Sequence, residues 1–162
     1  MFKTIIWATD GSETADGALS FAKALAACDG GKLVVVHNNE LLVGKAGGYP
    51  LLADEDELEG KIHDQVDELK AEGFDVSLKL VTGVETDAAH LIADAAREAV
   101  ADVIVVGTRG HAPVAGILVG SLAQRLVTQR LLHIAPCPVM AVPAAKQREQ
   151  RDRNREHAAT SR

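Results

Sequence analysis

Gly107-Thr108-Arg109-Gly110 leaves an apolar run and is followed, nine residues later, by Gly120-Ser121 at the start of a helical pattern. Glycines at such a boundary let backbone amides approach a ligand with no Cβ in the way. A helix opening at Gly120-Ser121 turns its unpaired N–H groups and the positive end of its dipole outward. That arrangement suits an anion such as phosphate, and the Ser121 hydroxyl offers one more hydrogen bond. A flexible glycine-rich loop with Ser121 as a simple helix cap fits the same spacing, so the pattern alone leaves two readings.

The second group is Thr9-Asp10-Gly11-Ser12, where the first apolar run stops. In open α/β sheets, ligands lie beyond the carboxyl ends of the strands, where the strand order reverses. If the first and fourth strands are neighbours there, Asp10 faces the Gly107 segment across a crevice. Its carboxylate can then accept hydrogen bonds from the nucleoside part of a nucleotide. Capping the next helix is the alternative role for Asp10.

Positioning these groups falls to an alternation of strands and helices. Lys3–Thr9, Leu33–Val36 and Val103–Val106 are apolar runs of the kind buried on both faces of a parallel sheet. Phe74 to Val81 alternates apolar and polar residues, as an edge strand does, and Pro138–Val142 supplies a fifth strand. Helical spacing links Ala15, Ala18, Leu19, Ala22, Leu25 and Ala26, ending at Gly30-Gly31. A second helix carries Leu58, Ile62, Val66 and Leu69, after a loop from about Asn39 to Asp56. A third, with Thr86 as its cap, carries Ala88, Leu91, Ile92, Ala95 and Ala99, and a fourth spans about Ser121 to His133. Five strands alternating with four helices predict an α/β fold, an open doubly wound parallel sheet with helices on both faces.

Composition narrows the function classes. The 162 residues carry a net charge of −6, against a nucleic-acid or anionic-membrane partner for the body. Residues 144–162 form a charged tail, read as solvated, with six basic and three acidic side chains. No leader peptide and no long apolar span is visible, which makes cytoplasm the expected location. The two cysteines, Cys28 and Cys137, are read as reduced thiols.

The chain resembles the universal stress protein family over residues 2 to 143. Ala8-Thr-Asp-Gly-Ser12, Val36-His37, Val105-Val-Gly-Thr-Arg-Gly110 and Ala135-Pro-Cys-Pro-Val139 carry the likeness. The family's nucleotide signature, Gly-x2-Gly-x9-Gly-(Ser/Thr), is met by Gly107, Gly110, Gly120 and Ser121. The resemblance implies a sheet order of 3-2-1-4-5 and ATP held with an accompanying Mg2+. Adenine would rest near Ala8, Thr9, Asp10 and Asn38. The ribose and phosphates would lie along Gly107, Thr108, Arg109 and Gly110, reaching Gly120, Ser121 and the Leu122 backbone. It also implies a homodimer formed through the last strand.

Two features depart from the family. Asn38 stands where an apolar residue, often Val, is usual. Between Ser121 and Ala135 the chain is about five residues longer, and Ala123-Gln-Arg-Leu-Val127 is echoed by Thr128-Gln-Arg-Leu-Leu132. Five helical residues add roughly 7.5 Å and turn the downstream face by about 140°, so the last strand docks unchanged only if they loop out.

No general acid–base pair is visible beside the phosphate segment, and no P-loop, dinucleotide fingerprint or nucleophile elbow is present. The expected function is therefore regulatory nucleotide binding with an unknown protein partner, and at most slow ATP hydrolysis. A nucleotide-free interaction module and an adenylyl-group enzyme of related fold are the competing readings.

Overall fold

A computed structural model of the chain describes residues 2–40, 55–83, 87–108 and 120–143. The elements are β1 (Thr4–Thr9), α1 (Glu13–Asp29), β2 (Lys32–Glu40), α2 (Glu55–Ala71), β3 (Val76–Gly83), α3 (Ala88–Glu98), β4 (Val103–Gly107), α4 (Gly120–Ile134) and β5 (Val139–Val142). All strand pairs are parallel, in the order β3-β2-β1-β4-β5. This is the expected doubly wound arrangement.

Because successive strand residues point to opposite faces, each continuous apolar run feeds two cores. Ile5, Trp7, Leu33, Val35, Val103 and Val105 pack with Ala18, Ala22 and Ala26 of α1 and Ile62, Val66 and Leu69 of α2. Ile6, Ala8, Val34, Val36, Ile104 and Val106 pack on the other face with Ala89, Ile92, Ala93 and Ala96 of α3 and Val127 and Leu131 of α4. Small alanine side chains on α1 and α3 let these helices lie close to the sheet. The buried Trp7 indole keeps its polar edge satisfied by donating to the Ala15 carbonyl at 3.0 Å.

Several boundaries differ from the sequence expectation. β2 runs on through Asn38, Asn39 and Glu40, which pair with Val81, Thr82 and Gly83. Ladder pairing with β3 overrides the weak strand preference of those polar residues. β3 begins at Val76, and Phe74 packs against the first core instead. Mixed burial along β3 agrees with an edge position. The residue capping α3 is Asp87, whose side chain makes no cap bond; Thr86 lies outside the described residues.

α4 is continuous from Gly120 to Ile134, so the five-residue repeat is absorbed within the helix rather than looped out. β5 nonetheless docks, pairing Ile104 with Val139 and Gly107 with Val142. The Arg97 guanidinium closes the end of α4 by donating to the Ile134 carbonyl at 3.0 Å. Among the described residues no helix is long and apolar enough to cross a membrane. The tail at 144–162 lies outside them.

Candidate functional site

Strand register assembles the site. Ala8 pairs with Val36 on one side and Val106 on the other, and all three belong to the core covered by α3 and α4. Two residues further along the chain stand Asp10, Asn38 and Thr108, Asn38 within β2 and the other two just past the carboxyl ends of β1 and β4. The first and fourth strands are neighbours, as the crevice required.

The β1–α1 turn is tightly organised. Asp10 Oδ1 accepts from the Ser12 amide at 3.1 Å and the Ser12 hydroxyl at 2.6 Å. Ser12 Oγ in turn accepts from the Ala15 amide at 3.2 Å, so Ser12 is the N-cap of α1 and Asp10 braces it. Gly11 has φ +72°, and a Cβ there would meet Leu58 Cδ2 at 2.7 Å. Only glycine meets both conditions. Ala8 is packed in the core, while Thr9 bonds the Gly11 amide through its hydroxyl at 3.1 Å. The Thr9 carbonyl lies 3.0 Å from Nδ1 of buried His37. A carbonyl can only accept, so Nδ1 carries the hydrogen. This agrees with His37 as a packed, hydrogen-bonded residue at the strand end.

Asn38 is different. Both polar atoms of its carboxamide are shut off from solvent and find no hydrogen-bond partner among the described residues. The side chain lies beside Gly83, where an added Cβ would come within 3.8 Å of Asn38 Oδ1.

At the β4 end, the Thr108 amide is already committed, donating to the Val142 carbonyl at 2.9 Å. The Gly107 carbonyl accepts from the buried Thr128 hydroxyl at 3.2 Å. Thr128 therefore stands level with the end of β4. Gly120 begins the helix eight residues earlier, about 12 Å further along the axis at 1.5 Å per residue. Gly120, Ser121 and Leu122 form the first turn of α4, where backbone amides lack helical partners. Arg109 and Gly110 lie outside the described residues.

Three contributors, Lys61, Gln65 and Thr128, were not singled out from sequence. Lys61 on α2 donates to the Gly11 carbonyl at 2.6 Å and to Asp16 Oδ2 at 2.8 Å, tying α2 to the Asp10 turn. Gln65 adds a bond to Asp16 Oδ1 at 2.8 Å. The signal for Lys61 was its place beside Leu58 and Ile62 on the apolar stripe. Thr128 had a similar signal, a hydroxyl next to apolar Val127.

The sequence pattern of the universal stress protein family matches residues 1–143. A universal stress protein from Thermus aquaticus is 35% identical over 150 residues, covering 88% of this chain and 99% of the relative. A solved universal stress protein in complex with cAMP superposes with TM-score 0.59 at 25% identity, covering 87% of this chain and 96% of the other. One from Archaeoglobus fulgidus in complex with dAMP has TM-score 0.57 at 21% identity, covering 88% and 98%, and shares the fold. The chain belongs to the universal stress protein family.

Proposed function

We propose that the chain binds an adenine nucleotide, ATP foremost, at the carboxyl ends of β2, β1 and β4, as a regulatory protein of the stress-response type. The observation that carries this reading is the parallel register that brings the carboxyl ends of β2, β1 and β4 side by side, with Asn38 in β2 and Asp10 and Thr108 immediately after β1 and β4. Two relatives of the same fold were solved with cAMP and dAMP, which fits an adenine-nucleotide ligand.

In this reading Asp10 faces the nucleoside, and the amides of Gly120, Ser121 and Leu122 take the phosphates. Thr108 contributes its side chain, its amide being engaged by β5. Arg109 and Gly110 complete the phosphate segment. The roughly 12 Å helical offset favours a ligand with a long phosphate chain over a monophosphate. Magnesium would be held chiefly by the phosphates and water, the usual mode for this ion beside a nucleotide.

Binding rather than turnover is the function, with hydrolysis slow at most. Nucleotide occupancy is read out as a change of conformation, homodimer formation or choice of a protein partner, with β5 as the dimer strand. Isothermal titration of the full chain with Mg–ATP is expected to give saturable binding. Folded protein that gives no heat of binding would sink the proposal. Turnover on the order of 1 s⁻¹ or faster would overturn the non-enzymatic part, and a monomeric mass by light scattering would overturn the dimer.

A further inference from the structure

We infer that Thr128 sets the length of phosphate chain the site accepts, by locking α4 into one of two registers that its tandem repeat makes available. The inference rests on the adenine-nucleotide reading and adds a positioning residue that selects among nucleotides.

Five residues separate the copies Ala123-Gln-Arg-Leu-Val127 and Thr128-Gln-Arg-Leu-Leu132. By place in the repeat, Val127, Thr128 and Leu131 correspond to Leu122, Ala123 and Leu126. Five helical residues turn about 140°, so only one of these sets can face α3 and the sheet at a time. In the structure it is the second. Val127 and Leu131 belong to the core shared with α3, and Thr128 is buried beside them.

Sliding α4 by one copy would seat the first set in the same places. Leucines at 122 and 126 are as apolar as Val127 and Leu131, so the two seatings differ most at the middle place. Thr128 donates its hydroxyl to the Gly107 carbonyl at 3.2 Å. Alanine at 123 has no donor to offer, and a buried carbonyl that loses its partner disfavours the slid register. The helix would then end near residue 129, and 130–134 would become part of the link to β5, giving up the bond from Arg97 to the Ile134 carbonyl. The two registers also place the amide end of α4 differently. With Thr128 opposite Gly107, Gly120 lies about 12 Å further along the axis; with Ala123 there it lies about 4.5 Å along. The first spacing suits a long phosphate chain and the second a monophosphate.

Amide hydrogen exchange of the full chain tests the register without any ligand. In the slid register the amides of 130–134 lose their helical bonds while those of 124–129 keep theirs, so the exchange rate at 130–134 follows the population of that register. Thr128→Ala removes the lock from the observed register, and Ala123→Thr supplies the same hydroxyl to the slid one. Each is expected to speed exchange at 130–134 about fivefold, the equivalent of one hydrogen bond, and to leave 124–129 unchanged. Thr128→Ser should exchange as wild type does. Wild-type rates at 130–134 in Ala123→Thr, or a rise spread over the whole of α4 in Thr128→Ala, would make Thr128 a structural residue only and overturn the inference.

Nucleotides added to the wild-type chain supply the second measurement. A ligand shifts an equilibrium only by its differential affinity for the two states. Mg–ATP is expected to slow exchange at 130–134, because it favours the register with the distant helix start. AMP is expected to speed it, because it draws that start toward the strand ends. Both nucleotides binding and changing the rate in the same direction overturns the inference while leaving the nucleotide-binding reading intact. Failure of either one to bind in titration overturns both.

Discussion

At the amino end of the sheet the Asp102 carboxylate accepts the Lys3 amide at 2.7 Å and the Thr4 amide at 2.9 Å, and Asp29 accepts the Phe2 amide at 3.1 Å. At the carboxyl end the Asn38 carboxamide finds no partner among the described residues, and the start of α4 carries amides with no helical partner. The amino end commits these polar groups to the fold. The carboxyl end commits Asp10, Thr9 and Thr128 as well but leaves the Asn38 carboxamide and the first amides of α4 over, at a cost to stability unless a ligand completes the bonds. Variants at the carboxyl end should therefore move ligand binding, and variants at the amino end should move stability alone.

The largest effect is expected from removing residues 123–127, one copy of the repeat. Gly120 would then begin three residues before the side chain facing Gly107, about 4.5 Å along the axis instead of about 12 Å. Bringing the amide end of α4 down to the strand ends should favour nucleotides with short phosphate chains. The ratio of ATP to AMP affinity, measured by titration, is expected to fall about tenfold, the value of one charge-assisted hydrogen bond newly made to the monophosphate. An unchanged ratio would mean that the start of α4 does not meet the phosphates, and the contrast between the two ends would lose half its basis.

A smaller change is expected from Lys61→Met. The ammonium group holds the Gly11 carbonyl and Asp16, so its loss frees the turn that carries Asp10 without touching the crevice itself. ATP affinity should drop about fivefold, equivalent to about 1 kcal/mol, with the melting point little altered because the ion pair is largely exposed. Lys61→Arg should recover part of the loss. A large fall in melting point with full affinity would move Lys61 to the structural side.

Much of this could be read before any coordinates. Runs such as Val103–Val106 announce strands buried on both faces, and alanine at helical spacing announces α1 and α3. The glycine spacing located the α4 start, and the expected adjacency of the first and fourth strands is met by β1 and β4. What stayed hidden depends on partners far away in the chain. Asn39 and Glu40 read as the start of a loop because nothing local marks them as strand; β3 holds them there. Thr128 reads locally as part of a repeat, whereas its hydroxyl reaches Gly107 and sets the helix register. Lys61 has no local feature that points to the Asp10 turn, and its bond to Gly11 spans 50 residues.

The smallest effect belongs to the amino end and tests the contrast from the other side. Hydrogen bonds from the Thr4 and Lys3 amides hold the Asp102 carboxyl below the usual aspartate range, outweighing a slight opposing effect of desolvation. A carboxylate whose affinity for protons is lowered by folding stabilises the fold above its unfolded value. That contribution fades as pH falls through the lowered folded value. Asp102→Asn keeps the shape but weakens both acceptor bonds, so its melting point should lie slightly below wild type at neutral pH. The gap should narrow as the solution is acidified through the aspartate range. ATP affinity should be the same in both proteins, because Asp102 caps the end of the sheet opposite the crevice. A pH-independent gap would show that the carboxylate charge is not what matters there. A loss of ATP affinity would couple the two ends and remove the division of labour between them.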